Sequence, residues 1–476
     1  MKPLLRTAFF VYYITMKKNN TSKKNNISNN IIYDVIIVGA GASGLFCGAA
    51  AEPNDDGFGT DAYGLSPDMA AEPNGGTCET EKTRSLCIDD SSRTSIPSFR
   101  SLILEKTSCA GTKLLMSGSG QCNITHDGSI KDFVSCYGEN GKKIRSCIYS
   151  HSNLSLMKFL RDNGVELFIR EDGKVFPASM DAHEVLYMLL RRIKSNGVEI
   201  RYDSPVTEIK KVSFDGGHHD ELWLVSSGDT IYTARNVIIA TGGCSYPSTG
   251  SDGSMFPVLS RDLDIEITSL RPALSSIQVQ DYPYAELSGI SHKNAHVSIW
   301  HDGRKTAEAC DDLLFTHRDM SGPAVINISK YALQNDILKV NYIFPVNYHE
   351  ALDRLKSASN GSKAGLVSII SSEFNLPKRF CRILTERSGE ALKAIARSLT
   401  EDQFIIASVS GFNRAMATAG GICLDQINTS CFSFKAYPSL YAVGEALDVD
   451  GMTGGYNLQF AYSSAMAAMG DIMAKK

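Results

Sequence analysis

Residues 33–45 read YDVIIVGAGASGL. The run YDVIIV over 33–38 is continuous, apolar and β-branched, as expected of a central strand in a parallel sheet. Gly39 follows at once, so Gly39, Gly41 and Gly44 form G-x-G-x-x-G between this strand and a helix expected over 43–51. In that setting each glycine has a physical task. Gly39 permits the tight turn, Gly41 lets the backbone approach a pyrophosphate, and Gly44 lets helix and strand pack closely. Beside Ala42 and Ser43 the helix N-terminus presents free N–H groups and the positive end of its dipole to an anion.

The motif needs an acidic partner at the end of the next strand, usually roughly 20 residues on. The candidate is Glu105, after the apolar run SLILE at 101–105, yet it lies 61 residues beyond Gly44. The excess falls in a Gly/Ser/Pro-rich stretch over 53–98, which holds nine acidic and three basic residues. The pentapeptide AAEPN occurs there twice, at 50–54 and 70–74. Such an insertion reads as a solvated loop that lengthens the connection at modest entropic cost, and its deletion is expected to leave the fold intact.

Three more glycine clusters follow in order. KLLMSGSGQCN, from Lys113 to Asn123, offers bare backbone suited to a flat ring or a phosphate chain. IIATGG, with Thr241 and Gly242, ends a buried strand, and YAVGE brings Gly444 and Glu445 to the end of another. Gly454, Gly455, Tyr456 and Asn457 then open a last helix, whose N-terminus could stabilise negative charge on a reduced ring.

Between these clusters the pattern changes. Helices are expected over 154–163 and 181–196, the second capped by Ser179, with strands at 199–202, 206–212, 222–226 and 237–240. Short strands over 274–344 suggest a small β-barrel or sandwich, and 348–399 reads as helical. The expected fold class is α/β: a Rossmann-like two-dinucleotide-binding domain interrupted by a small β-barrel and a helical insert. The divisions are a leader at 1–32, a first part at 33–272, a barrel at 273–347 and 401–418, a helical insert at 348–400 and a second part at 419–476.

The chain has 476 residues, 43% hydrophobic and 21% charged, and a net charge of −4. That excludes a disordered protein and gives no support for nucleic-acid binding over the whole surface. No apolar run near a terminus approaches the roughly 20 residues of a membrane-spanning helix, so no membrane is expected. Residues 1–33 carry six basic residues and no acid. They read as a disordered tail, an organellar transit peptide or a start misplaced ahead of Met16. The twelve cysteines include no C-x-x-C pair, so no metal site is expected. Cys47, Cys244 and Cys423 read as small buried residues, and reduced thiols in a cytoplasmic setting fit the pattern.

The strings YDVIIVGAGASGL, ILEK, KLLMSGSGQCN, VFPAS, IIATGGCSYPSTGSDG, LLFTH, SGPA and GEALDVDGMTGGYNLQFAYSSA together resemble the BaiN/YhiN-type FAD-binding oxidoreductases, also known as aminoacetone-oxidase-family flavoproteins. The resemblance implies non-covalent FAD. By motif, Gly39, Gly41 and Gly44 would hold the pyrophosphate, and Glu105, with Lys106 beside it, the adenosine ribose. Gly111, Lys113, Ser117, Gly118, Cys122 and Asn123 would lie along the cofactor. Val206 would meet the adenine, Thr241 and Gly242 would close the adenosine side, Gly444 and Glu445 would approach the ribityl chain, and Gly454, Gly455, Tyr456 and Asn457 the flavin. The family loop usually reads SGGGRCN or SGNGRCN; here Ser119 and Gln121 replace a small residue and the arginine.

No second G-x-G-x-x-G follows a strand, so NAD(P)H, if it is the reductant, would share the open flavin face with the substrate. The expected activity is hydride transfer between flavin and a small organic substrate, a conjugated ketone being one option. Amine oxidation and a non-catalytic FAD scaffold are the alternatives. An RNA substrate is disfavoured by the net charge. Tyr246 and His317 are the candidate proton donors, and His317 reads equally well as a structural histidine.

Overall fold

In a computed structural model of the chain, residues 26–51, 99–213, 221–360 and 362–476 are described. Most of the leader and the expected acidic insertion lie outside them.

The strand Asn26–Val38 occupies the middle of a nine-stranded sheet. It starts at Asn26, not at residue 33, because its first residues pair with Thr230 and Ile231 of the long strand Thr230–Ile239. Its other neighbour is Ser101–Leu104, followed outward by Glu199–Arg201, all parallel. On the far side Thr230–Ile239 pairs in parallel with Leu440–Ala442. The antiparallel hairpin Val206–Ser213 and Glu221–Ser227 also joins Thr230–Ile239. The first strand therefore has its successor on one side and later strands on the other. That is a topological switch point, and the crevice it leaves lies beyond the carboxyl ends of the strands.

Period-2 alternation explains why this strand is apolar throughout. Val35 and Ile37 pack with Leu45, Val185, Leu189 and Met469 on one face. Ile36 and Val38 pack with Ile144, Phe256 and Leu259 on the other. The helix Ala182–Ser195 supplies Val185 and Leu189 and is capped by Asp181, whose side chain accepts from the His183 N–H. Ser179 does not cap it; its hydroxyl is bonded to Glu184 instead. Of the cysteines expected to be buried, Cys47 is, while Cys244 and Cys423 are only partly covered. Cys109 is disulfide-bonded, against the expectation of reduced thiols throughout.

Two short antiparallel strands, Arg271–Ala273 and Ala417–Ala419, carry the chain out of this unit and back. Between them, six strands close a barrel: Ile277–Val279, Met320–Ser321, Arg304–Phe315, Ser291–His301, Ile337–Asn341 and Asp402–Val409. Four helices, Tyr348–Ser359, Leu366–Phe374, Lys378–Ser388 and Leu392–Thr400, pack on it and share its core.

His292 sits in that shared core against Phe315, Tyr342 and Phe380, 3% exposed, with no partner for its Nε2. Burial lowers its pKa from 6.5 to about 4. An unfolded chain would take up a proton near 6.5, whereas the folded one resists until about 4. Stability should therefore be full above the higher value and fall as pH drops through this window, by up to about 3 kcal/mol. Urea unfolding at pH 7 and at pH 4.5 checks this, and His292→Leu should remove that part of the acid slope.

Candidate functional site

The carboxyl ends of the first strand, of Ser101–Leu104 and of Thr230–Ile239 open into one cleft of about 710 Å³. The first glycine loop forms its floor. Gly39 has φ +100°, and a Cβ there would lie 2.7 Å from the Ala240 carbonyl oxygen. A Cβ at Gly44 would lie 1.9 Å from the Gly39 oxygen, so this residue must be glycine for the strand and helix to meet. Gly41 differs from both. Its φ of −73° suits any residue. Among the described residues the only contact its Cβ would make is the Ala240 oxygen at 4.0 Å. Neither backbone nor packing calls for glycine at 41; the space beside it is the cleft.

At the end of the second strand the buried carboxylate of Glu105 accepts from the Ala40 N–H at 2.6 Å and from the Thr107 N–H and hydroxyl, both at 2.8 Å. Lys106 donates to Asp252 at 2.5 Å and to the Ser254 hydroxyl at 3.1 Å. Gly111, Val206, Thr241 and Gly242 line this part of the cleft. So does Ser251, a residue that sequence reasoning passed over. It is 6% exposed, its hydroxyl has no partner, and it lies 2.8 Å from where a Gly242 Cβ would be. A buried hydroxyl without a partner is costly unless a ligand completes it. Its only signal was its place in the string STGSDG, since a lone serine in a loop carries no periodicity.

Farther along, four segments distant in sequence meet. Lys113 Nζ donates to Glu445 Oε2 and to Ser245 Oγ, both at 2.5 Å. Glu445 Oε1 accepts from Ser245 Oγ at 2.6 Å and from the Thr418 N–H at 2.9 Å. Lys113 and Glu445 both line the cleft, and both Glu445 oxygens already accept from protein groups.

The loop after Lys113 passes through left-handed backbone at Gly118, Ser119, Gly120 and Cys122. This explains why glycine or asparagine suits position 119: both tolerate φ near the +58° found there, whereas serine is strained. Ser119→Gly is expected to stabilise the fold by about 0.5–1 kcal/mol, the relief of strain less the extra chain entropy. The melting temperature checks it. Ser117, Gly118, Gln121 and Asn123 line the cleft with Ser119.

The last helix, Tyr456–Ala474, points its N-terminus at the cleft, where Gly454, Gly455 and Asn457 are exposed to it. At 455 the packing by itself already calls for glycine. At φ +91° its Cβ would fall 2.5–2.7 Å from the backbone of Thr125. With its amide in the bonded orientation, Asn123 accepts from the Gly455 N–H and donates to the Thr125 carbonyl, both at 3.2 Å.

Several candidate residues do not line the cleft. Tyr456 turns into an aromatic cluster with His126, Phe133 and Tyr137. Gly444 packs on Ser43, whose Oγ a Cβ would meet at 1.9 Å. Cys122 is fully buried, and burial pushes its thiol up to about 11. Gly44 is covered by the helix–strand contact. His317 lies exposed at the end of a barrel strand. Of the two candidate proton donors, Tyr246 alone reaches the cleft. Among the described residues no group of three or more His, Cys, Asp or Glu side chains could hold a metal, and no helix is long and apolar enough to cross a membrane.

A parallel sheet with glycine loops at its switch point, a carboxylate ending its second strand and a barrel inserted beside the cleft belongs to the FAD-dependent oxidoreductases, and this protein is one of them. Over residues 92–471 it matches the family described as HI0933-like protein Rossmann domain, and it belongs to that family. Over 468 residues it is 26% identical to the ribosomal RNA dihydrouridine synthase of Escherichia coli (strain K12), covering 93% of this chain and 99% of that one. The protein of the same name from Haemophilus influenzae (strain ATCC 51907 / DSM 11121 / KW20 / Rd) is 26% identical over 371 residues, covering 75% and 88%. The 3-dehydro-bile acid delta(4,6)-reductase of Clostridium scindens (strain ATCC 35704 / DSM 5676 / VPI 13733 / 19) is 27% identical over 387 residues, covering 77% and 91%.

Proposed function

We propose that the chain reduces a carbon–carbon double bond conjugated to a carbonyl group in a small organic molecule, with NAD(P)H as electron donor. FAD, when bound, supplies the hydride chemistry. The observation that carries the flavin part of this reading is the space at Gly41, which no described protein group fills. It lies beside the N-terminus of the helix Ala42–Ala50, where free N–H groups suit a diphosphate. The unpartnered Ser251 hydroxyl and the carboxylate of Glu105 fit the adenosine half, and Lys113, Asn123 and Gly455 fit the ring half. Reduction adds a hydride to one carbon and a proton to the other while NAD(P)H becomes NAD(P)+. Tyr246 is the side chain we assign to the proton.

Both names carried by the relatives describe saturating such a double bond, which supports the chemistry and leaves the substrate open. A uridine in ribosomal RNA is the second reading, favoured by the two relatives named for that reaction. Against it stands the pairing of the cleft's cations. Lys106 faces Asp252, Lys113 faces Glu445, and Arg170 and Lys174 both face Asp172. The bond from Arg170 above all holds Asp172 far below the usual carboxylate range, so this pair stays ionised. Nucleic-acid affinity comes largely from free lysines and arginines that neutralise phosphates and release the counterions condensed on them.

The test is direct. Purified protein should be yellow and release FAD on denaturation. Under anaerobic conditions NADH or NADPH should bleach it, and a conjugated enone should restore the colour. Protein that stays colourless with added FAD, or reduced protein that only uridine-containing RNA reoxidises, would overturn the reading.

A further inference from the structure

Among the described residues, thirteen other than glycine have left-handed backbone, and seven of them are Asp or Asn, which tolerate it. Of the other six, Ser119, Tyr246 and Leu274 line the cleft. Tyr246, at φ +53°, and Leu274, at φ +52°, are bulky. Such strain persists only where surrounding structure enforces it, and it concentrates at functional sites.

The enforcing contacts are visible. The Tyr246 N–H donates to the Phe412 carbonyl at 2.9 Å, and the Met416 N–H to the Leu274 carbonyl at 3.3 Å. Leu274 directly follows the outgoing connector Arg271–Ala273, and Met416 directly precedes the returning one, Ala417–Ala419. The two connectors thus bring the apolar side chains of Leu274 and Met416 together at the wall of the cleft. Met416 is 45% exposed there, and Met452, 36% exposed, lines the same cleft from the segment before the last helix. Methionine is flexible and polarisable, and it adapts to flat apolar surfaces.

The geometry points to Tyr246, Leu274, Met416 and Met452 as the substrate-selecting wall, receiving an uncharged, apolar ring compound. This rests on the conjugated double-bond reading and narrows it to a class. Leu274 and Met416 come from the connectors, Tyr246 and Met452 from beside the third and last glycine clusters, and none of the four carries charge. A polyanionic substrate would gain nothing from them, and the cleft's paired cations offer it no compensation.

The experiment titrates FAD-loaded protein with 2-cyclohexenone and with a fused two-ring enone, an octalenone, following the flavin absorbance. The octalenone should bind about tenfold or more tightly than the single ring, since it buries more apolar area. Met416→Glu should weaken octalenone about tenfold or more while leaving FAD content and melting temperature unchanged, because the side chain is half exposed. Met452→Glu should act alike, so a folding failure of one variant leaves the other to decide. A uridine pentanucleotide should not compete. Equal affinity for the two enones, octalenone binding untouched by both variants, FAD lost from both, or displacement by the nucleotide would each overturn the assignment. A colourless wild-type protein would strike the FAD reading beneath it, whereas a yellow protein blind to the wall would strike the wall alone.

Discussion

Gly41→Val is expected to give a folded, nearly colourless protein, with FAD affinity down by at least about a hundredfold. The backbone at 41 lies at φ −73° and ψ −174°, which valine adopts freely. Among the described residues no atom comes closer to its Cβ than the Ala240 oxygen at 4.0 Å, so the fold does not push a side chain away from this position. The branch would instead occupy the path of the diphosphate. Losing two hydrogen bonds to a charged group costs about 3–6 kcal/mol, and each 1.4 kcal/mol is about tenfold in affinity. Gly44→Ala should fail differently. Its Cβ would sit 1.9 Å from the Gly39 oxygen, so that variant should lose melting temperature before anything else. Flavin absorbance and thermal unfolding, measured on both variants, separate the two roles. A Gly41→Val protein that holds FAD at unchanged affinity would mean that the cofactor does not cross the loop at that residue.

Asp402→Ala, outside the cleft, is expected to cost about 3–5 kcal/mol. Asp402 begins the last barrel strand and is 5% exposed. Its Oδ2 accepts from the Tyr284 hydroxyl at 2.8 Å, the Tyr342 hydroxyl at 2.9 Å and Arg387 Nη1 at 2.9 Å. Arg387 Nη2 reaches Oδ1 at 3.1 Å from the helix Lys378–Ser388. One carboxylate therefore binds the helical insert to the barrel and satisfies two buried phenols. Alanine would leave a half-buried guanidinium and two buried hydroxyls short of a partner. Urea unfolding measures the cost, and a loss below about 1 kcal/mol would show that Arg387 and the tyrosines find other partners.

The sequence by itself determined the class of fold and the order of the loops. The run over 33–38, its glycines and the buried strands before Glu105, Thr241 and Gly444 are local patterns, written in periods that survive without knowledge of partners. The long gap before Glu105 did not obscure the motif, because lengthening a loop moves neither element that it joins. What one side chain does against another is not local, and there the tertiary structure decided. Gly444 and Gly455 were legible as glycines, but only the packing shows that Ser43 and Thr125 are what they make room for. Lys113 and Glu445 lie 332 residues apart and meet through Ser245 and Thr418. Tyr456 and Asn457 are sequence neighbours at a helix start, yet the first turns into an aromatic core and the second into the cleft, because successive helical residues point about 100° apart. The wall at Leu274 and Met416 had no sequence signal, since it exists only where two connectors, far apart in the chain, pair as strands.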